Sequence, residues 1–144
     1  MSYDVRQEAA LKIVGIATRT ANSRSHEIGA LWEKFYKTGV AEQIPARLDG
    51  DIYSVYSEYE SDFTGPFTVL IGCAVPEGVP VSPGLSQKTI HAASYAVFEV
   101  VGELPKSVAT AWTAIWKTPL DRLYDTDFER YAKDGAVTVH VGIR

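Results

Sequence analysis

The chain has one cysteine, three histidines and no long apolar run, and each shortage excludes a class of protein. Cys73 has no second cysteine to pair with, and its place in the apolar run 67–75 predicts a buried, unreactive thiol. The histidines His26, His91 and His140 lie in three different predicted elements, without the spacing of metal ligands. We therefore expect neither a disulfide-stabilised fold nor a metal centre.

The absence of several sequence motifs excludes further functional classes. No glycine-rich loop leads from a strand into a helix, so we expect no nucleotide cofactor, and no Gly-x-Ser-x-Gly sequence indicates a serine hydrolase. The 14 Lys and Arg residues form no cluster and the net charge is −4, so direct nucleic-acid binding is not expected. No stretch of about 18 apolar residues and no apolar leader occur, which predicts a cytoplasmic protein without membrane contact.

The apolar residues that are present predict a strand, a helix and two strands in the first half. Residues 11–17 form a short β-branched strand, and a helix follows from Ser25, its N-cap, to Gly39. The helix carries apolar side chains at three- and four-residue intervals: Ile28, Leu31, Trp32 and Phe35. Residues 52–60 alternate, as in a half-buried strand, and residues 67–75 are apolar at nearly every position, as in a central one.

The second half repeats this order. Residues 90–101 read as a long strand, and a helix with Pro105 near its start follows. Its apolar stripe consists of Val108, Trp112, Ile115 and Trp116. Two further strands are predicted at 126–131 and 136–143, joined by an Asp-Gly hairpin turn.

These patterns predict one α+β domain made of two β-α-β-β repeats with pseudo-two-fold symmetry. The repeats span about 11–75 and 86–144, and the Pro- and Gly-rich segment 76–85 connects them. We expect an antiparallel sheet, two helices and a ligand cleft between the halves. Aligning the repeats matches Trp32 with Trp112 and Tyr56 with Tyr131. Ser54, however, stands where the second repeat has Glu129, so the carboxylate breaks the symmetry.

The segment 127–131 is the strongest candidate for a binding site. Glu129 and Tyr131 lie two positions apart and share one face of a strand. In an apolar pocket, a carboxylate beside an aromatic ring would recognise an organic cation. The alternative is a solvated Glu129 with Phe128 facing the core, because Asp127 shares the face of Glu129 and acidic residues are mostly exposed.

The sequence resembles the gyrase-inhibitor-like or effector-binding domain family, the sensor domain of several multidrug-responsive transcription activators of the AraC and MerR types. The resemblance runs from about Leu11 onward and rests on the duplicated plan, the helix patterns Leu31-Trp32 and Ile115-Trp116, the segment 127–131 and the alternating last strand. No helix-turn-helix pattern precedes Leu11. The sequence is therefore similar to stand-alone members, some of them carried on mobile gene cassettes.

The resemblance implies an aromatic pocket in which a buried glutamate meets hydrophobic cationic compounds. By position that glutamate is Glu129, with Tyr131 beside it. The other candidate ligand-binding residues are Trp32, Phe35, Tyr53, Tyr56 and Trp112. A packed helix face explains the Trp residues equally well, and strand alternation separates Tyr53 from Tyr56.

Three functions are compatible with these residues. The first is a module that binds hydrophobic organic cations or drug-like molecules as a sensor or by sequestering them. The second is a small-molecule hydrolase in which Glu129 acts as base or acid, with Tyr131 or Tyr53 donating a hydrogen bond. The third is a protein-interaction inhibitor that docks on a regulator or a DNA-processing enzyme through acidic residues of the first hairpin. These acids are Glu58, Glu60 and Asp62.

Overall fold

The computed structural model describes all residues, 1–144, and contains two α-helices and eight β-strands. The helices are α1 (His26–Lys37) and α2 (Lys106–Trp116). The strands are β1 (Asp4–Glu8), β2 (Leu11–Thr20), β3 (Ile52–Ser57), β4 (Phe67–Val75), β5 (Ser86–Ile90), β6 (Ala93–Val100), β7 (Arg122–Tyr131) and β8 (Val137–Ile143). Neither helix is long and apolar enough to cross a membrane.

All eight strands form a single antiparallel sheet in the order β1-β6-β8-β7-β3-β4-β2-β5. The central pair is β3 and β7, which come from different halves of the chain. Helix α1 packs against β2 and β4, and helix α2 packs against β6. The expected α+β class, with an antiparallel sheet and two helices, is therefore confirmed. The division of the chain into repeats at 11–75 and 86–144 stays a prediction.

The sheet curls so that its two ends approach each other. Strand β1 lies at one edge and β2 near the other, yet only residues 9–10 connect them; residues 91–92 likewise connect β5 at the second edge to β6 near the first. Two linking residues span at most about 10 Å. The face turned away from the helices is consequently closed, and it holds a core cluster that includes Ile13, Tyr53 and Phe128.

This curl explains two differences from the sequence prediction. Residues 90–101 do not form one strand, because the chain crosses from one sheet end to the other at 91–92. Residues 4–8 form an edge strand although they are polar and mostly exposed, since pairing with β6 needs only their backbone groups. Strand 67–75 agrees with the prediction, and burial on both sides explains its continuous apolar pattern.

The ends of α1 also differ from the prediction at one point. Gly39 follows the helix with φ +63°, the left-handed conformation that ends helices and favours glycine. Ser25 occupies the N-cap position, but its side chain makes no capping hydrogen bond. A 3-10 turn at Asn22–Arg24 leads directly into the helix, so Ser25 has helical dihedral angles rather than the extended ones of a usual cap.

Candidate functional site

A cavity of about 410 Å³ lies between the two helices and the central strands of the sheet. Its volume is in the range typical of small-molecule sites. Helix α1 contributes Trp32, helix α2 contributes Trp112 and Trp116, and strand β7 contributes Glu129 and Tyr131. Eleven of the 18 lining residues are hydrophobic, so the carboxylate stands in a largely apolar surrounding.

Glu129 is 2% exposed and accepts three hydrogen bonds from uncharged donors. Its Oε2 accepts from the Tyr56 hydroxyl at 2.8 Å and from the Trp112 indole Nε1 at 2.6 Å. Its Oε1 accepts from the Tyr131 hydroxyl at 2.6 Å. No Lys, Arg or His nitrogen lies within 4.0 Å of this carboxylate. The three donors thus orient the acid without neutralising it.

The pKa of Glu129 reflects this environment. Burial raises it above the ordinary value of 4.5, because desolvation disfavours the charged form, and the hydrogen bonds from Tyr131, Trp112 and Tyr56 offset only part of the increase. Burial and the nearby Glu129 also raise the pKa of both tyrosines well above their ordinary value. Both phenols therefore remain protonated at neutral pH and act as donors.

Asp127, two residues earlier on the same face, is a contrasting carboxylate. It is fully buried, and its Oδ2 lies 2.7 Å from Arg122 Nη2 and accepts from the Tyr59 hydroxyl at 2.6 Å. Its Oδ1 accepts from the Gly142 backbone N–H at 2.8 Å. Arg122 neutralises Asp127, so Glu129 is the carboxylate in this region that has no positive partner.

Glu129 is buried, so the solvated position that local alternation allowed for it is not observed. Asp127 and Glu129 share one face, as alternation requires, but that face points to the helices and both acids are buried. Phe128 faces the closed side of the curled sheet, where it stacks on His140 at 4.3 Å. Both faces of β7 are buried here, one by the helices and one by the curled sheet. Alternating side chains therefore point into two different buried regions, and neither set points to solvent.

The structure brings five of the seven predicted site residues together around the cavity: Trp32, Tyr56, Trp112, Glu129 and Tyr131. Their rings meet edge to face, with centroid distances of 4.9 Å for Trp32 and Tyr131 and 5.6 Å for Tyr56 and Trp112. In an edge-to-face pair the edge of one ring covers a face of the other, so each pair leaves the faces of one ring free of that contact.

The other two candidates lie elsewhere. Tyr53 is on the opposite face of β3, where it packs near Phe128 at 6.2 Å and donates its hydroxyl to Asp49 at 3.0 Å. Phe35 is 1% exposed and belongs to the core between α1 and the sheet. Strand alternation explains the position of Tyr53, and Phe35 lies almost one helical turn beyond Trp32, where the helix contacts the strands.

Several residues that line the cavity were not among the predicted ligand-binding residues. Phe63, in the loop between β3 and β4, stacks on Trp116 with ring centroids 5.1 Å apart and planes 9° apart. Trp116 belongs to the predicted apolar stripe of this helix, four residues after Trp112 and on the same helix side, but it was not predicted to bind a ligand. No sequence pattern predicts Phe63 or Arg122 as a lining residue, because Phe63 is placed by a loop and Arg122 by an irregular strand.

The cavity has no cluster of metal ligands, since no three His, Cys, Asp or Glu side chains converge suitably in the chain. Its surface instead combines aromatic rings with one unpaired carboxylate. Such a surface suits an organic molecule with apolar groups and a positive charge.

Comparison with known proteins gives relatives over nearly the whole chain. YobU of Bacillus subtilis (strain 168), a candidate transcriptional regulator, is 30% identical over 136 residues, which cover 88% of this chain and 84% of that protein. The integron cassette protein VCH_CASS2, from the mobile metagenome of Vibrio cholerae, has 29% identity and a TM-score of 0.82, with 99% of this chain and 96% of that chain covered.

A more distant structure has the same fold. SAV2435, solved bound to tetraphenylphosphonium, has 21% identity and a TM-score of 0.80, covering 100% of this chain and 94% of that one. The model of the Cass2 family, described as integron-associated effector binding protein, matches residues 5–143. The expected relationship to effector-binding domains is confirmed, and the chain belongs to the Cass2 family of integron-associated effector binding proteins.

Proposed function

We propose that the protein binds hydrophobic organic cations in the cavity between α1, α2 and the central strands, with Glu129 as the charge partner. The observation that carries this proposal is the carboxylate itself, which is 2% exposed, has three neutral donors and has no cation within 4.0 Å. A buried carboxylate without a positive partner is unfavourable, and a cationic ligand removes part of that penalty.

The difference between the two neighbouring acids supports this choice of ligand charge. Asp127 has Arg122 at 2.7 Å, so that pair adds no net charge to the cavity wall. Ionised Glu129 then leaves the site with a single negative charge. A monocation balances it, whereas an anion would meet Glu129 in a poorly solvated surrounding.

The aromatic walls favour cations whose charge is shielded by apolar groups. Trp32, Tyr56, Trp112 and Tyr131 contribute rings to the same cavity as Glu129. Ring faces attract cations, and apolar substituents are stabilised by leaving water. A small hydrated ion such as potassium lacks the second contribution, so size and hydrophobicity should select the ligand.

The comparisons support the same class of ligand. The family is described as effector binding, and a protein of the same fold was solved with tetraphenylphosphonium, which is itself a hydrophobic monocation. Because YobU is named as a candidate transcriptional regulator, we propose that cation binding serves a sensing or sequestering role.

The test compares two ions of the same shape and opposite charge. Tetraphenylphosphonium and tetraphenylborate are titrated into the protein by isothermal calorimetry at pH 8. We expect the cation to bind and the borate to bind far more weakly. In Glu129→Gln the preference should fall by at least about tenfold, because a buried charge interaction is worth more than about 1.4 kcal/mol.

The glutamine variant is well matched, since its amide oxygen can accept from Tyr56 and Trp112 while its amide nitrogen donates to Tyr131. Glu33→Gln, which removes the same charge from the exposed side of α1, serves as control and should leave both affinities unchanged. Equal affinities for the two ions, or an unaltered preference in Glu129→Gln, would contradict the proposal.

A further inference from the structure

Arg122 is a buried lining residue of the cavity with donors that have no acceptor. Its side chain is 6% exposed, and only Nη2 is engaged with a side chain, at 2.7 Å from Asp127 Oδ2. Its Nε and Nη1 are buried and make no hydrogen bond. Buried donors are almost always satisfied in folded proteins, so two open ones on the wall of a ligand cavity indicate a polar group supplied by the ligand.

An irregularity in strand β7 places this guanidinium beside the cavity. Residues five positions apart in a regular strand face opposite sides, yet Arg122 and Asp127 lie on one side. Their partners on β8 are Ile143 and Val141, only two positions apart, so β7 contains extra residues between them. Tyr124, within this bulge, has φ +53°. The bulge redirects Arg122 toward the cavity, a common use of bulges near binding sites.

Two aromatic rings relate Arg122 to the rest of the site. The centroid of Tyr124 lies 4.3 Å from Cζ of Arg122, and that of Trp112 lies 5.9 Å from it. Trp112 also donates its indole N–H to Glu129 at 2.6 Å. The indole is therefore close to both the unpaired acid and the guanidinium, and a ligand that covers Trp112 can reach toward both. Nε and Nη1 are buried by neighbouring groups that include the Tyr124 ring. A ligand acceptor that reaches either nitrogen therefore displaces some of these groups.

The charge on Arg122 decides which acceptor suits it. Asp127 already balances the guanidinium, so a carboxylate on the ligand would add an uncompensated negative charge to a buried pair. A neutral carbonyl oxygen satisfies the open N–H donors without adding charge. Ketones, esters and amides therefore fit this position better than acids.

We infer that Arg122 is a specificity-determining residue and that the preferred ligands are hydrophobic monocations carrying a neutral carbonyl oxygen. The cationic centre lies at Glu129 and the carbonyl oxygen at Nε or Nη1 of Arg122. This inference rests on the proposed cation site and adds a second point of recognition to it. It explains why the cavity wall keeps a buried guanidinium with unused donors.

The test uses three phosphonium probes with one common cationic head. Hexyltriphenylphosphonium has no acceptor, (3-methoxycarbonylpropyl)triphenylphosphonium places an ester in a chain of the same length, and (3-carboxypropyl)triphenylphosphonium carries a carboxylate at pH 8. The measured quantity is the affinity of each probe relative to the hexyl compound. Taking this ratio in the protein and in its variants removes the intrinsic difference in hydrophobicity between the probes.

The informative variant replaces the ion pair together, as Arg122→Met with Asp127→Asn, so that no buried charge is left alone. We expect the ester-to-hexyl ratio to fall by roughly tenfold or more in this double variant, since hydrogen bonds to a charged donor are worth about that factor. Asp127→Asn alone keeps the donors and should keep the ester advantage. The carboxylate probe should gain nothing from Arg122 in the unaltered protein.

An equal ester-to-hexyl ratio in the unaltered protein and the double variant would overturn the inference. Should the double variant fail to fold, infrared spectra of the ester labelled with ¹³C at the carbonyl decide the question in the unaltered protein. A hydrogen-bonded carbonyl absorbs at lower frequency than in apolar solvent, and an unshifted band contradicts the contact. Failure of the hexyl compound to bind at all would instead contradict the cation site itself.

Discussion

Ser54 and Glu129 lie directly opposite each other across the central strand pair β3 and β7. Both side chains are buried on the helix side of the sheet, but Glu129 accepts three hydrogen bonds whereas the Ser54 hydroxyl makes none. The neighbouring pair, Tyr56 and Asp127, follows the same register. The carboxylate thus has a small neutral side chain opposite it, and Glu129 is the buried acid of this strand pair that has no positive partner.

The Ser54 hydroxyl should be dispensable. Because it is buried and unsatisfied, Ser54→Ala removes a desolvation penalty, and we expect the free energy of unfolding to rise or to change by less than about 1 kcal/mol. The affinity for tetraphenylphosphonium should not change. Urea denaturation and calorimetry check both quantities; a loss of several kcal/mol would mean that the hydroxyl supports Glu129.

Glu129→Gln should be more stable than the unaltered protein at neutral pH. The folded-state pKa of Glu129 is raised, so the folded protein retains its proton to higher pH than the unfolded chain does. Stability therefore falls as pH rises from the ordinary glutamate pKa of 4.5 through the raised pKa of the folded state, by about 1.4 kcal/mol per unit of pKa difference. Glutamine has no such dependence. Urea unfolding between pH 3.5 and 8 measures the free energy of unfolding of both proteins. The two values should agree at the acid end, and Glu129→Gln should be the more stable protein at pH 8.

Cation affinity should decrease in acid. Tetraphenylphosphonium has no titratable group, so any pH dependence belongs to the protein. A bound cation stabilises the carboxylate and lowers its pKa relative to the free protein. Affinity should be full above the free-protein pKa of Glu129 and fall by up to tenfold per pH unit below it. Calorimetric titrations across this range should give a flat profile for Glu129→Gln, and an equally steep one would assign the titration to another group.

Tyr131→Phe should weaken cation binding in the pH range where Glu129 titrates, because it changes the pKa of the acid while the aromatic ring stays in the cavity wall. The phenol donates to Glu129 at 2.6 Å, and this bond lowers the pKa of the carboxyl. Without it, the pH at which cation affinity falls should move upward, while the phenyl ring keeps its contact with Trp32. The pH profile of binding measures this shift.

Tyr53→Phe is the matched control for the Tyr131 variant. It removes a hydroxyl bonded to Asp49 on the opposite face of the sheet and should reduce stability by about 1 kcal/mol. Cation affinity and its pH profile should stay the same. An altered profile would mean that Tyr53 acts on Glu129 through the sheet.

Arg122→Met alone should destabilise the protein by about 3–5 kcal/mol, because it leaves the fully buried Asp127 without its positive partner. Adding Asp127→Asn should recover most of that loss, since the amide can still bond to Gly142 and Tyr59. A double-mutant cycle in urea measures the coupling. Additive losses would show that the pair contributes no specific interaction.

Local patterns determined much of this fold. The period of Ile28, Leu31, Trp32 and Phe35 predicts α1, Gly39 marks its end, and the apolar run 67–75 predicts the buried strand β4. These features depend on neighbours in sequence, so they can be read without the tertiary structure. The two-residue spacing of Glu129 and Tyr131 and the family resemblance likewise predict these two residues as parts of a site.

Only the tertiary structure decided which face of each strand lies against the helices and which lies inside the curled sheet. The sheet curls because two-residue links join strands at its opposite ends, and this buries Tyr53 and Glu129 on different sides of one sheet. Alternation gives two faces but cannot tell what covers each of them. The position of Arg122 needed more still, since the bulge in β7 shifts its register relative to Asp127. Contacts between residues distant in sequence determine what buries each face of the sheet, the register of β7, and the pairing of Asp127 that leaves Glu129 as the buried acid without a positive partner. A local sequence pattern does not include these contacts.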